Sequence, residues 1–183
     1  MSIDFKIHHI YELLQNSFGP QNWWPGETTD EIIIGAILTQ RVSWNNVETA
    51  IENLKQNNLC TIEHIHYANI EDLAPLIRST LYYNQKAKKL KNFAEFLFTG
   101  YNGDLDRMFR TEIAELRRQL LQIKGIGEET ADSILLYAGG KPVFVIDTYT
   151  KRIFSRLGIT KPGWNYAQYQ QVFTVNLPQD VSL

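Results

Sequence analysis

The chain has 183 residues, 44% of them hydrophobic and 21% charged, which is enough for a buried core in one compact domain or two small helical lobes. Its net charge of -2 and pI near 6.1 exclude a broadly basic nucleic-acid binder, so any DNA contact must be local. The single cysteine, Cys60, excludes an internal disulfide and a Cys-based metal or iron-sulfur site and reads as a buried, inert thiol.

Apolar spacing is helical from the start, with Ile7, Ile10, Leu13 and Leu14 running to a stop at Gly19-Pro20. The opening "MSIDFKIHHI" lacks a secretory pattern and no apolar run is long enough for a bilayer, so a cytoplasmic location without a membrane is expected. Thr28 with Glu31 three residues on predicts a capping box, and Ser43, Asn69 and Thr111 suit the caps of later helices. Val47, Ile51 and Leu54, then Leu90, Phe93, Ala94 and Leu97, continue the helical spacing. Gly100 to Gly103, Gly139-Gly140 and Gly158 close runs, and the fold class is all-α. "KPVFVID" at 141 to 147 breaks the pattern and reads as a short extended connector that crosses between lobes. The final stretch turns at Leu177-Pro178 and stops where another helix would begin, which suits a natural terminus and a C-terminal truncation about equally. His8, His9, His64 and His66 show no metal-site spacing, and no metal is expected.

"LLQIKGIGEETADSIL", residues 120 to 135, joins two apolar runs through two glycines. A helix ending at about Ile123 and another starting near Glu128 leave backbone N-H groups that can bind an anion. Glycine supplies positive φ and lets a phosphate oxygen approach without a Cβ in the way. Taken alone, Gly-x-Gly fits a plain helix-helix turn, and Glu128 and Glu129 suit any helix N-terminus.

The wider string, "L-x-x-I-K-G-I-G-x-x-T-A-x-x-I" followed by "VIDTYTKRI" at 145 to 153, resembles the signature of the helix-hairpin-helix (HhH-GPD) superfamily of endonuclease III-like DNA glycosylases. "IIGAILTQ" at 33 to 40 and "YYNQKAKKL" at 82 to 90 follow that family's patterns in the same order. Within it, "WWPGETTDEIIIGAILTQ" and the pairing of "YNQKAKKL" with "KGIGEETADSILLYA" look most like the bacterial 3-methyladenine glycosylases of endonuclease III type. The resemblance implies a six-helix bundle over 27–140 with its hairpin at 123–128, and a second lobe from 1–26 plus 141–183. Between them a cleft would take double-stranded DNA and receive one flipped nucleotide. It implies a monomeric base-excision-repair enzyme, nucleoid-associated when bound, that hydrolyses the N-glycosidic bond of an alkylated purine such as 3-methyladenine.

The resemblance also assigns residues. Asp147 would face the positive charge that builds on the sugar, while the local sequence favours an N-cap; both roles fit one side chain with two oxygens. Glu129 occupies the position where bifunctional relatives carry a Schiff-base lysine, which implies an enzyme that uses water and lacks lyase activity. Trp23, Trp24, Pro25 and Trp44 align with base-pocket positions, although singly Trp23 or Trp24 suits core packing as well. Gln40 would fill the hole left by the displaced nucleotide, and Tyr82 would wedge between neighbouring bases; Leu81 stands where relatives have glycine. Gly125 and Gly127 would meet phosphate with Ile126 at the hairpin tip, Lys124 would face a phosphate or solvent, and the resemblance implies an optional monovalent cation on the hairpin carbonyls. Lys86, Lys88, Lys89 and Lys91 could touch phosphates or form a solvated face. The alternatives are an endonuclease III-type glycosylase and lyase acting on oxidised pyrimidines, and a noncatalytic DNA-binding module.

Overall fold

A computed structural model describes residues 3–176, with side chains from residue 6 onward, and every regular element in that range is helical. In chain order these are α1 (Ile3–Phe18), α2 (Thr29–Leu38), α3 (Trp44–Gln56), α4 (Ile62–Tyr67), α5 (Ile70–Leu76), α6 (Tyr83–Tyr101), α7 (Leu105–Phe109), α8 (Ile113–Leu120), α9 (Glu128–Ser133), α10 (Thr148–Arg156) and α11 (Tyr166–Asn176). A 3-10 turn, Arg78–Thr80, precedes α6, and a π turn, Ile134–Ala138, prolongs α9. No described helix is long and apolar enough to cross a membrane.

The chain divides into two compact units, one of Trp24–Lys141 and one of Met1–Trp23 with Pro142–Leu183. In the first, α2 is apolar almost all round, and Ile33, Ile34, Ile37 and Leu38 are wholly buried, as a central helix requires. The long helix α6 lies against α2, α4, α5 and α7 and presents Leu90, Phe93, Ala94 and Leu97 inward. Each such side chain contributes roughly 1.5–3 kcal/mol on burial. The second unit is held by Ile7, Ile146, Ile159, Tyr166, Tyr169 and Phe173, with Phe144 stacked on Phe173 at 4.2 Å between ring centroids. The helical spacing of α1 extends beyond its packed face, because Leu13 and Leu14 are exposed while Ile7 is buried.

The connector 141–147 has no regular structure, and Ile146 anchors it: its side chain is buried and its amide donates to the Tyr166 hydroxyl at 3.1 Å. Thr28 caps α2 by accepting from the Glu31 amide at 3.2 Å. The return arm of the expected capping box differs: the Glu31 carboxylate accepts from the Glu27 amide rather than from Thr28, and it also pairs with Lys55. Ser43 and Asn69 hold N-cap positions without a side-chain bond to a capped amide. Thr111 does not cap α8. Its hydroxyl sits 3.2 Å from the Tyr101 hydroxyl, and Glu112 takes the cap by accepting from the Glu115 amide. Cys60 is only half-buried, but its desolvation pushes the thiol up to about 11, so it is inert at neutral pH.

Candidate functional site

The glycine bend is built by two short turns and one left-handed residue. Helix α8 ends at Leu120, earlier than the spacing predicts, because amide bonds from Gln122 to Gln119 and from Ile123 to Leu120 tighten the chain there. Gly125 has φ +101, and a Cβ on it would stand 2.5 Å from Cγ of Lys89, so conformation and packing both require glycine. Gly127 has extended backbone, and a Cβ there would meet nothing within 4 Å. Ile126 is not at the tip: its side chain is buried and its amide donates to the Ile123 carbonyl at 3.0 Å. An isoleucine gains more from the core than from solvent, and the turn at Gly125 lets it face inward. Lys124 and Gly125 form the exposed crest instead.

The amides of Gly125, Gly127 and Glu128 make no hydrogen bond among the described residues, which leaves a row of donors around the crest. The carbonyls of Lys124 and Gly125 accept from Asn92 Nδ2 at 2.8 Å and Gln40 Nε2 at 3.2 Å, and each keeps a second lone pair. Beneath the bend, Arg117 of α8 and the wholly buried Asp132 of α9 form a two-point ion pair at 2.7 and 3.1 Å.

Two further turns stand with the hairpin in this unit. Gln40, just past α2, donates to Thr130 Oγ1 at 3.0 Å as well as to Gly125 and accepts from Lys89 Nζ, so its amide is tied to the hairpin. Leu81 adopts a backbone that favours glycine, φ 57 and ψ 158, and Tyr82 follows in the left-handed region at φ 44 and ψ 30. Both are exposed, at 56% and 64%. The lysines of α6 depart from a phosphate-facing row. Lys86 is buried and donates to the carbonyls of Leu38 and Thr80, while Lys91 closes the end of α4 by donating to Ile65, His66 and Ala68. Each supplies donors to backbone carbonyls that a helix end or turn leaves without partners. Burial, and then the neighbouring Lys89, lower the Lys86 ammonium to about 8. Lys88 is the exposed member of the set.

Trp24 lies edge-on to Trp44 at 5.3 Å and 5.5 Å from Tyr137. Gly35 permits this, since a Cβ there would come within 2.9 Å of the Trp24 indole nitrogen. Tyr137 escapes sequence reasoning because the π turn shifts it off the regular helical register. Trp23 is 49% exposed and falls in the terminal unit; Pro25 is exposed. In that terminal unit Asp147 is half-buried and caps α10, its Oδ1 accepting from the Thr150 amide at 2.6 Å. Its Oδ2 makes no hydrogen bond among the described residues. Glu129 sits exposed in the first turn of α9, and its backbone carbonyl accepts from the Ser133 hydroxyl. Among the described residues no cluster of three or more His, Cys, Asp or Glu side chains could hold a metal, and the sequence's one cysteine cannot supply the four thiolates of an iron-sulfur cluster.

An all-helical chain with an open, donor-rich glycine bend between α8 and α9 is a helix-hairpin-helix protein. The model of the HhH-GPD superfamily of base excision DNA repair proteins matches residues 34–179, and the chain belongs to that superfamily. It is 46% identical over 181 residues to a candidate DNA repair glycosylase of Methanocaldococcus jannaschii, covering 97% of this chain and 81% of that one. It is 32% identical over 171 residues to endonuclease III of Sulfolobus acidocaldarius, covering 92% and 74%. The crystal structure of H. pylori 3-methyladenine DNA glycosylase bound to 1,N6-ethenoadenine superposes with a TM-score of 0.83 at 29% identity, covering 96% and 82%. The protein is a DNA glycosylase of this base-excision-repair type, and its activity is of the class that hydrolyses N-glycosyl bonds.

Proposed function

We propose that this chain is a monofunctional glycosylase that releases an alkylated purine, such as 3-methyladenine, from a nucleotide swung out of double-stranded DNA. The observation that carries the substrate class is the Trp24–Trp44–Tyr137 cluster. Alkylation at a ring nitrogen gives the purine a positive charge, and an aromatic face attracts a cation by roughly 0.5–2 kcal/mol, more where water is excluded. A cationic base also leaves with little protonation, so the reaction needs help mainly at the sugar. There Asp147 stabilises the developing charge with its second oxygen, and water attacks to leave an abasic site. The likeness to the H. pylori enzyme supports the same class. Gln40 and Tyr82 enter the duplex as the nucleotide leaves it, and the donors at Gly125 and Gly127 grip a phosphate.

Glu129 supports the absence of lyase activity, because a carboxylate cannot form an imine with the opened sugar. The endonuclease III reading is favoured by identity to the S. acidocaldarius protein. Incubation with methylated duplex DNA separates the two: free purine released with an intact strand is expected. Strand nicking without alkali, with a covalent protein–DNA adduct formed when borohydride reduces the imine, would establish the lyase instead. Duplex binding with no base released would make the chain a binding module.

The hairpin yields a paired prediction. Gly125→Ala should destabilise the fold by about 1–3 kcal/mol in urea unfolding, through a strained φ and a clash with Lys89. Gly127→Ala should leave stability within about 0.5 kcal/mol yet weaken duplex binding, because its methyl occupies the open approach to the amides. Equal binding by native and Gly127→Ala chains would remove the hairpin from the phosphate contact.

A further inference from the structure

We infer that Lys86 is a positioning residue: its buried ammonium ties the carbonyl that ends α2 to the carbonyl that precedes the Leu81–Tyr82 turn, and so holds Gln40 and Tyr82 at one fixed spacing. The inference rests on the reading that those two side chains enter the duplex. Leu38 is the last residue of α2, two before Gln40, and Thr80 is the residue immediately before Leu81. Lys86 reaches both from the first turn of α6, with Nζ 2.9 Å from the Leu38 oxygen and 2.5 Å from that of Thr80. Its side chain is 2% exposed.

A methionine would fill that volume with no charge to desolvate, but it would leave both carbonyls without this donor. The turn that follows needs such a hold. Leu81 and Tyr82 are non-glycine residues in consecutive positive-φ conformations, which persist only where the surroundings over-determine them. Their exposed side chains gain nothing from the core in return. One turn along α6, Lys89 binds the Gln40 amide directly and packs under Gly125, so this face of α6 brackets all three predicted DNA-contacting turns. A wedge held in advance does not have to be ordered while the nucleotide is being extruded.

The test compares two substrates in single-turnover base release. One is a duplex with the alkylated purine paired; the other carries the same purine in a one-nucleotide bulge, where extrusion is already largely accomplished. Lys86→Met should lose on the order of a hundredfold on the paired duplex but only about tenfold or less on the bulge. Lys88→Met, on the exposed side of the same helix, should lose far less on the paired duplex. If Lys86→Met does not fold by thermal unfolding, Lys86→Gln, which keeps an amide donor, is held to the same comparison. Equal losses on both substrates, or none on the paired one, overturn the positioning role. A native chain that releases purine from neither substrate overturns the functional reading itself, and this inference with it.

Discussion

Asp147→Asn is expected to fold as the native chain does and to lose base release by roughly 10²- to 10⁴-fold, the range for removing a positioned catalytic group. The two halves of that expectation come from the two oxygens of one carboxylate. Oδ1 accepts from the Thr150 amide and caps α10, and asparagine caps a helix about as well as aspartate. The amide therefore preserves the local structure and removes only the negative charge on which the proposed role depends. Asp147→Ala removes both and should lower stability by about 1 kcal/mol as well. Single-turnover release from methylated duplex, read beside thermal unfolding of the three chains, separates the contributions. A loss under tenfold for Asp147→Asn would leave this residue as a cap and nothing more. The residue's setting makes the test clean, since the anchored, buried Ile146 fixes the chain just before it by packing and by the Tyr166 hydroxyl, neither of which involves the carboxylate.

The all-helical class was legible because the pattern that marks a buried helix face depends only on spacing, and α6 shows it over nineteen residues with Leu90, Phe93, Ala94 and Leu97 all inside. The glycine bend was legible for a similar reason, since Gly125 needs a backbone that few other residues adopt. Which way Ile126 points was not, because facing follows from the turn geometry and not from the residue's neighbours in sequence. Lys86 and Lys91 read as solvent or phosphate contacts because lysine is so seldom buried. Their true partners are carbonyls at the ends of α2 and α4 and beside the Leu81 turn, dozens of residues from two of those three places. Tyr137 was missed for the opposite cause: the sequence around it is regular, and the π turn that brings it beside Trp24 is not. Leu81 holds a backbone region that glycine favours, φ 57 and ψ 158, which nothing about a leucine announces in the sequence.

Breaking the Arg117–Asp132 pair from its exposed side should be the most destabilising single change in the hairpin. Arg117→Met takes both guanidinium hydrogen bonds from the wholly buried Asp132 carboxylate, and breaking a buried ion pair from one side costs about 3–5 kcal/mol. Asp132→Asn should cost less. Its amide is neutral, and the Arg117 side chain, 26% exposed, can move its charge toward water. The double variant Arg117→Met with Asp132→Asn should then recover part of the loss, because the buried side chain is then neutral, and a double-mutant cycle in urea would measure the coupling. The pair joins α8 to α9, so the variant should also loosen the crest at Lys124 and Gly125 and weaken duplex binding beyond what its stability alone explains. Arg117→Met chains that unfold at the native urea midpoint would show that the two helices hold the bend without the ion pair. Its support would then be the burial of Leu116, Leu120, Ile126 and Ala131 together with the hydrogen bonds from Asn92 and Gln40 to the carbonyls of the bend.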